Sequence, residues 1–315
     1  MEFFITGGCG FIGSNYVGYL LDSTLEVSKI TVFDKLTYAA NLRNLEKYQD
    51  DSRLQVIIGD ICDFPTLKTA MNGHDVVIHF AAESHVDRSI LDSKTFIETN
   101  LTGTYNVLEA CRVNSVRTTV HVSTDEVYGS FPEGTANEND VLLPNSPYAA
   151  SKAGSDLLAR SYFVTHGLDI RITRCCNNYG KFQFPEKVIP VFIKSLLSGK
   201  KTPIYGNGMN TREWIHVKDH CRGIQVVLEN GTPGEIYNIG TGVHLTNIDL
   251  ANQIIKILGE KSDSIEFIED RKGHDFRYSL NYEKIAKIGF SAQINFEEGL
   301  TDTIDWYKAN QSWWG

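Results

Sequence analysis

Thr124, Asp125 and Glu126 stand together after the apolar run Val120-His121-Val122-Ser123, and Tyr148-x-x-x-Lys152 follows further along the chain. A hydroxyl and two carboxylates at a strand end, facing a tyrosine and a lysine on the next helix, have the groups to oxidise an alcohol and then expel water. Few other chemistries need all five. The plainer reading is that Asp125 and Glu126 solvate a turn, as adjacent acidic residues usually do. The elements around them decide between the two.

Gly7-Gly8-Cys9-Gly10-Phe11-Ile12-Gly13 satisfies G-x-G-x-x-G between an expected strand and an expected helix. In that context the glycines permit a tight turn and let a pyrophosphate approach the amides of the helix N-terminus. Asp34 closes the second strand, placed to accept hydrogen bonds from an adenosine ribose. A carboxylate there repels a 2′-phosphate, which points to NAD over NADP. Asp60-Ile61, after the third strand, is positioned for the adenine edge, and Phe80-Ala81-Ala82 lets the cofactor pass close to the fourth. The competing reading is a structural turn with a surface aspartate.

Ser146 as N-cap, Pro147 at the first helical position and Gly167 as the stop predict a helix over 147–166. Tyr148 then lies in the first turn and Lys152 one turn later on the same face. A free phenol ionises near pH ~10 and is a poor base at neutrality. A nearby ammonium and the positive helix end both favour phenolate. Tyr148 is then expected to take the proton from a sugar hydroxyl as hydride passes to the nicotinamide. Lys152 would also hold the nicotinamide ribose, and Thr124 would hydrogen-bond the reacting oxygen.

Near-continuous apolar runs at 3–5, 29–33, 54–58, 75–80, 118–122 and 169–173 read as buried strands alternating with helices. That rhythm predicts an α/β doubly wound parallel Rossmann sheet. Residues 94–114 carry apolar groups spaced for a long helix. After Asn177 the rhythm changes to shorter elements richer in Gly, Asn and aromatics. The expected organisation is an NAD-binding Rossmann domain over 1–176, rejoined by 214–240 through a helix near 217–229 and a strand at 235–239. A smaller mixed lobe over 177–213 and 241–315 would bind substrate.

With 315 residues, 42% hydrophobic and 22% charged, the chain has the composition of a globular protein with a full core. A net charge of −9 argues against nucleic acid and anionic membrane surfaces as partners. No stretch reads as a membrane span or signal peptide, and the six cysteines lack C-x-x-C spacing. These features predict a cytoplasmic protein with reduced thiols. The adjacent Cys175-Cys176 reads as buried small side chains, with a redox switch as the sharper alternative. His216-x-x-x-His220 with Asp219 has the spacing of a metal pair, but the reaction outlined here needs none and a helix-start histidine is usually structural. No metal is expected.

Taken together, TGGCGFIGS (6–14), AAESHVDRS (81–89), STDEVYG (123–129), SPYAASKAGSD (146–156), CNNYG (176–180), TREWIHV (211–217) and GHDFRY (273–278) resemble the extended short-chain dehydrogenase/reductases, and within them the dTDP-glucose 4,6-dehydratases. The resemblance spans nearly the whole chain. It implies that Tyr148 and NAD oxidise C4 of the glucose, Glu126 removes the C5 proton, Asp125 protonates the departing C6 hydroxyl, and hydride returns to C6. Two neighbouring carboxylates in a closed site push one pKa upward, so one stays protonated.

The resemblance further implies cofactor contacts at Phe11, Ile12, Lys35, Leu36, Thr37, Ser84, Thr99 and Asn178. It implies nucleotide-sugar contacts at Ser84, Thr124, Asn177, Glu186, Lys187, Arg212, Asn247, Arg277 and Tyr278. Arg212 and Arg277 suit a diphosphate, which they can grip through forked hydrogen bonds; without the resemblance they would read as surface ion pairs. A homodimer through helices 94–114 and 147–166 is also implied. The chain departs from the family pattern at Cys176 (usually Ser), Ala150 (usually Ser), Lys181-Phe182 (usually Pro-Tyr) and Phe276 (often Arg).

Three rival functions remain at this stage. A nucleotide-sugar 4-epimerase would need Tyr148 and Lys152 but neither carboxylate. A UDP-glucose 4,6-dehydratase would differ only in the base. A catalytically silent dinucleotide sensor would keep the glycine loop without needing the rest.

Overall fold

The computed structural model describes residues 1–261 and 263–314. Its strands are β1 (Glu2–Thr6), β2 (Lys29–Asp34), β3 (Leu54–Ile58), β4 (Val76–His79), β5 (Thr118–Thr124), β6 (Ile170–Cys175), β7 (Asn177–Tyr179), β8 (Thr202–Tyr205), β9 (Thr211–His216), β10 (Ile236–Ile239), β11 (His244–Thr246) and β12 (Ile265–Ile268). Seven of them form one parallel sheet in the order β10-β6-β5-β4-β1-β2-β3. Helices cover both faces, as the alternating pattern predicted. Phe3 and Ile5 of β1 enter the core on one side while Phe4 enters the other, packing with Phe33, Leu67, Met71 and Val107. Burial on both faces is why β1 reads as unbroken apolar sequence.

The expectation that every run is a buried strand fails at β3. It is the sheet edge, and Ile58 is 65% exposed. An apolar, β-branched run has the same composition at an edge as in the centre, so composition could not distinguish them.

Strand order reverses between β1 and β4, which opens a crevice at their C-terminal ends. The register brings the strand ends level there: Thr6 lies beside Phe33 and His79, His79 beside His121, and Thr124 beside Cys175. Capping holds the neighbouring helix in place. Ser146 Oγ accepts from the Ala149 amide, Pro147 opens the helix Pro147–His166, and Gly167 ends it at φ 68°.

The long helix expected over 94–114 is present but not uniform. Ser93–Ile97 and Thr104–Val113 are α-helical, and Glu98–Gly103 between them is a π turn. That widened turn sends Asn100 inward to donate to Ser151 Oγ (2.8 Å) and the Glu83 carbonyl, and to accept from the Glu83 amide. It thereby ties the cavity wall at 81–84 to the helix that carries Tyr148 and Lys152. Hydrophobic spacing carries no signature of such a bulge.

The chain leaves the large sheet after Cys175, and β7 starts a second, three-stranded sheet, β11-β9-β7. β9 pairs parallel with β7 and antiparallel with β11, and β8 and β12 form a parallel pair of their own. Behind them Ile189, Phe192, Trp214, Leu250, Ile254 and Leu300 form a separate core. The helix Val217–Asn230 and β10 return to the first sheet, where β10 pairs in parallel with β6. Among the described residues no helix is long and apolar enough to cross a membrane.

Candidate active site

One cavity of about 520 Å³ runs along the C-terminal edge of the large sheet and between the two cores. At one end lies the glycine turn. Gly7 sits at φ 70°, and a Cβ there would come within 2.7 Å of the Ala81 amide nitrogen. A Cβ at Gly13 would strike the Gly7 carbonyl. The close packing of this turn under the helix Phe11–Asp22 is what a pyrophosphate cradle requires. Asp34 Oδ2 accepts from the Cys9 amide (2.9 Å) and Oδ1 from the Leu36 amide (2.8 Å), which leaves further lone pairs on each oxygen for ribose hydroxyls. Lys35 pairs with Asp60 at 2.7 Å on the same wall. The residues present fit a dinucleotide.

Of the expected cofactor contacts, Gly7, Gly10, Phe11, Ile12, Gly13, Asp34, Lys35, Thr37, Asp60, Ile61, Phe80, Ala81, Ala82, Ser84, Thr99, Tyr148, Lys152 and Asn178 line the cavity. Leu36 does not. It adopts φ 54° and packs its side chain against the core, contributing its amide to Asp34 instead.

Asp125 and Glu126 are turned inward, away from bulk solvent, so the turn-solvating reading fails. Asp125 is 4% exposed; its Oδ1 accepts from the Thr124 hydroxyl at 3.2 Å and its Oδ2 has no partner. Thr124 Oγ1 also accepts the Glu126 amide (3.2 Å), capping the short turn that presents both acids. Burial first, and the neighbouring Glu126 charge next, push Asp125 well above the ordinary carboxyl range. Glu126 is also raised by burial, but Lys187, Arg271 and Arg212 pull in the opposite direction. Both carboxyls are therefore raised, Asp125 the more because no such set of cations offsets its burial, which suits Asp125 to give a proton and Glu126 to take one.

Tyr148 faces them with its ring packed against Phe96 and Val86. One expectation is overturned here. Burial and the Glu126 charge raise the phenol above its ordinary value, and Thr124 is the neighbour that lowers it. Lys152 Nζ donates to the Val122 carbonyl at 2.8 Å and does not dominate the phenol's ionisation. Burial of the ring and the Glu126 charge outweigh a cation that is itself desolvated.

The wall opposite is basic and partly unsatisfied. Arg212 is fixed by the Thr211 and Asp275 carbonyls and stacks 4.5 Å from the Tyr278 ring centroid. Lys187 Nζ donates to the Ser84 carbonyl. Glu186 accepts from the Tyr38 hydroxyl (3.0 Å) and pairs with Arg88. Asn177 Oδ1, like Asp125 Oδ2, is buried without a hydrogen-bond partner, and Asn247 lines the same cavity. Orphaned polar atoms around one cavity are the mark of a site that a polar ligand completes.

Arg277 is a correction. It does not reach the cavity, because its guanidinium donates to the Phe131 and Gly134 carbonyls and orders that loop. Arg271 occupies the wall instead, near Asp87 (3.6 Å) and close to His274 and Tyr205. These four were missed by sequence reading. The sequence places Arg271 two residues before Gly273, which adopts φ 65° at the start of the G-H-D-F-R-Y run. Phe276 is 52% exposed and lies outside the wall.

The histidine pair does not assemble a metal site. His216 Nδ1 accepts the Lys218 amide as a helix cap, Asp219 accepts the Gln293 and Ile294 amides, and His220 Nδ1 donates to Asn178 Oδ1 (2.9 Å).

The sequence matches the GDP-mannose 4,6 dehydratase family over residues 4–303. It is 50% identical over 319 residues to a dTDP-glucose 4,6-dehydratase of Streptomyces antibioticus, covering 100% of this chain and 94% of the relative. The chain belongs to the dTDP-glucose 4,6-dehydratase family. Structural comparison agrees with that placement in the dehydratases. The Streptomyces venezuelae dTDP-glucose 4,6-dehydratase DesIV, solved with NAD and dTDP bound, superposes with a TM-score of 0.98 at 51% identity, covering 100% of this chain and 99% of that one. A Thermus thermophilus UDP-glucose 4-epimerase with NAD gives 0.89 at 30% identity, covering 98% and 100%. Dehydratases and epimerases share the frame, so the difference lies in what fills the cavity.

Proposed function

We propose that the protein converts dTDP-glucose to dTDP-4-keto-6-deoxyglucose in the cytoplasm, with NAD recycled in each turnover. The observation that carries this reading is the acid pair. Asp125, the more strongly raised of the two carboxyls, and a cation-flanked Glu126 share a cavity with Tyr148. A 4-epimerase has no C5 proton to remove and no C6 hydroxyl to expel, so it has no use for either acid.

Tyr148 takes the C4 hydroxyl proton, with Thr124 hydrogen-bonded to the same oxygen. Bound NAD supplies the hydride acceptor at C4, the donor returning it to C6, and a positive ring that favours phenolate. The C4 ketone acidifies the C5 proton, which Glu126 removes. Asp125 donates its proton to the C6 hydroxyl, which departs as water. Glu126 then returns that proton to C5 as C6 is reduced, Tyr148 releases the C4 proton to solvent and Asp125 takes one from it, which resets all three groups. Each acid or base contributes about 10²–10⁴ in rate. Arg212, Lys187 and Arg271 bring the positive charge a diphosphate needs, and Ser84, Asn177, Glu186, Asn247 and Tyr278 complete the wall around the nucleotide sugar.

Incubation with dTDP-glucose and mass readout tests the reading: the product should be lighter by one water. An isomer of unchanged mass would replace it with 4-epimerisation. Bound NAD without turnover on any nucleoside-diphosphate hexose would leave only a sensor. A parallel UDP-glucose reaction measures base preference, and faster dehydration of the uridine sugar would reassign the substrate.

Lys152 gives the reading a pH signature. Burial lowers its ammonium from 10.5 to about 8, and Asp156 is the charge that opposes the fall. The cation is present below that value, so kcat is expected to decline as pH rises through about 8. Asp156→Asn, checked for folding by thermal melting, should move that decline to lower pH. An unmoved alkaline limb would remove Lys152 from the proposed roles.

The same reading includes a homodimer. Ile97, Tyr105, Leu157 and Val164 are exposed on the two helices that flank the site, Leu157 by 59% and Val164 by 61%. Leu157→Asp should convert a dimer to monomer in sedimentation, and a wild type that sediments as a monomer would refute the assembly.

A further inference from the structure

The last described helix, Gln311–Trp314, lies far in sequence from the glycine turn yet is joined to it by an unbroken set of hydrogen bonds. Trp313 Nε1–H donates to Asn44 Oδ1 at 2.8 Å. Asn44 is 2% exposed, and its Nδ2 donates to the Cys9 carbonyl at 2.9 Å. The Asn41 amide donates to that same carbonyl at 3.0 Å, while the Cys9 amide donates to Asp34 Oδ2. Asn44 therefore has its acceptor fixed by Trp313 and its donor fixed on the glycine turn. A buried amide used at both ends has one orientation only. Arg43 adds a second tie, from Nη1 to the Ser312 carbonyl at 3.0 Å.

The indole ring of Trp313 reaches the other side of the cleft as well. It packs with Trp306 (5.1 Å between centroids) and with Phe182 (6.2 Å). Phe182 holds φ 71°, a conformation that a bulky residue keeps only when its surroundings impose it. It sits just after β7, in the loop leaving Asn178. The neighbouring Lys181 carbonyl accepts from Asn15 Nδ2 (3.1 Å) on the helix that starts at the glycine turn. One side chain thus spans the segment under Asp34 and the segment beyond Asn178, the two ends between which a dinucleotide extends.

We infer that Trp313 is a positioning residue for the cofactor, which it retains by locking the glycine turn through Asn44 without touching the cofactor itself. This rests on the proposed NAD site. A merely structural tryptophan would stabilise the second core and leave the glycine turn unaffected. Trp314 supplies the comparison. It belongs to the same helix, donates to the Tyr307 carbonyl (2.9 Å) and stacks on Tyr307 and Lys194, with no bond to the 41–44 segment.

The test measures NAD release from the loaded full-length protein, by displacement with excess unlabelled dinucleotide, for wild type, Trp313→Phe and Trp314→Phe. Trp313→Phe keeps an aromatic ring and loses the N–H. NAD should leave it about three- to tenfold faster, the range a single lost anchoring hydrogen bond supplies. Its kcat at saturating NAD should match wild type, and Trp314→Phe should release NAD at the wild-type rate. Equal release from wild type and Trp313→Phe overturns the inference while leaving the NAD site standing. Equal acceleration in both variants also overturns it, by reducing Trp313 to general packing. A wild type that binds no dinucleotide would overturn the NAD site and this inference together.

Discussion

Glu126→Gln should lose water elimination by about 10²–10⁴ in kcat while still oxidising C4, so that reduced nicotinamide builds up on the protein with no lighter sugar released. The amide matches the carboxylate in size and can still hydrogen-bond, but it cannot take the C5 proton. The electrostatics make the variant more informative than a simple knockout. Glu126 is the strongest charge raising the Tyr148 phenol, so its removal eases phenolate formation. The C4 oxidation half-reaction should therefore extend to lower pH than in the wild type. Removal also leaves Lys187, Arg271 and Arg212 without the acid they flank, which should tighten nucleotide diphosphate binding. A Glu126→Gln protein that eliminates water at the wild-type rate, or one that no longer reduces nicotinamide, would sink the assignment of Glu126 as the C5 base.

What could be read from sequence follows from how local each signal is. The helix Pro147–His166 was legible because its N-cap, its first-turn proline and its terminal glycine all act within a turn of where they stand. The central strands were legible because burial on both faces leaves continuous apolar runs. The position of β3 at the edge, the π turn at Glu98–Gly103, and the exchange of Arg277 for Arg271 on the cavity wall were not. Each depends on partners distant in sequence. Arg277 and Arg271 differ only in which carbonyls and carboxylates the folded loop brings to them, so the types of residue nearby could not separate them. The phenol's ionisation failed for a related reason. The lysine one turn away is visible in the sequence, but the burial of the ring and the Glu126 charge beside it are not.

Tyr148→Phe should abolish the first step, and with it every later one, with loss in kcat of at least about 10²–10⁴. The substitution removes one oxygen and keeps the ring between Phe96 and Val86, so the fold and the cavity wall should survive. Nucleotide binding should survive too, because Arg212, Lys187 and Asn177 hold their positions through contacts that do not involve the phenol. What disappears is the acceptor for the C4 hydroxyl proton. No ketone forms, the C5 proton stays unacidified, and Asp125 and Glu126 have nothing to act upon. Tyr148→Phe should therefore show no reduced nicotinamide with substrate bound, the opposite of Glu126→Gln. The double variant should behave as Tyr148→Phe alone, since residues acting in sequence on one path do not contribute additively. A Tyr148→Phe protein that still accumulates reduced nicotinamide would mean that another group takes the C4 proton. Lys152, one helical turn from Tyr148 on the same cavity and lowered to about 8, suits that task, so the same experiment discriminates between the two.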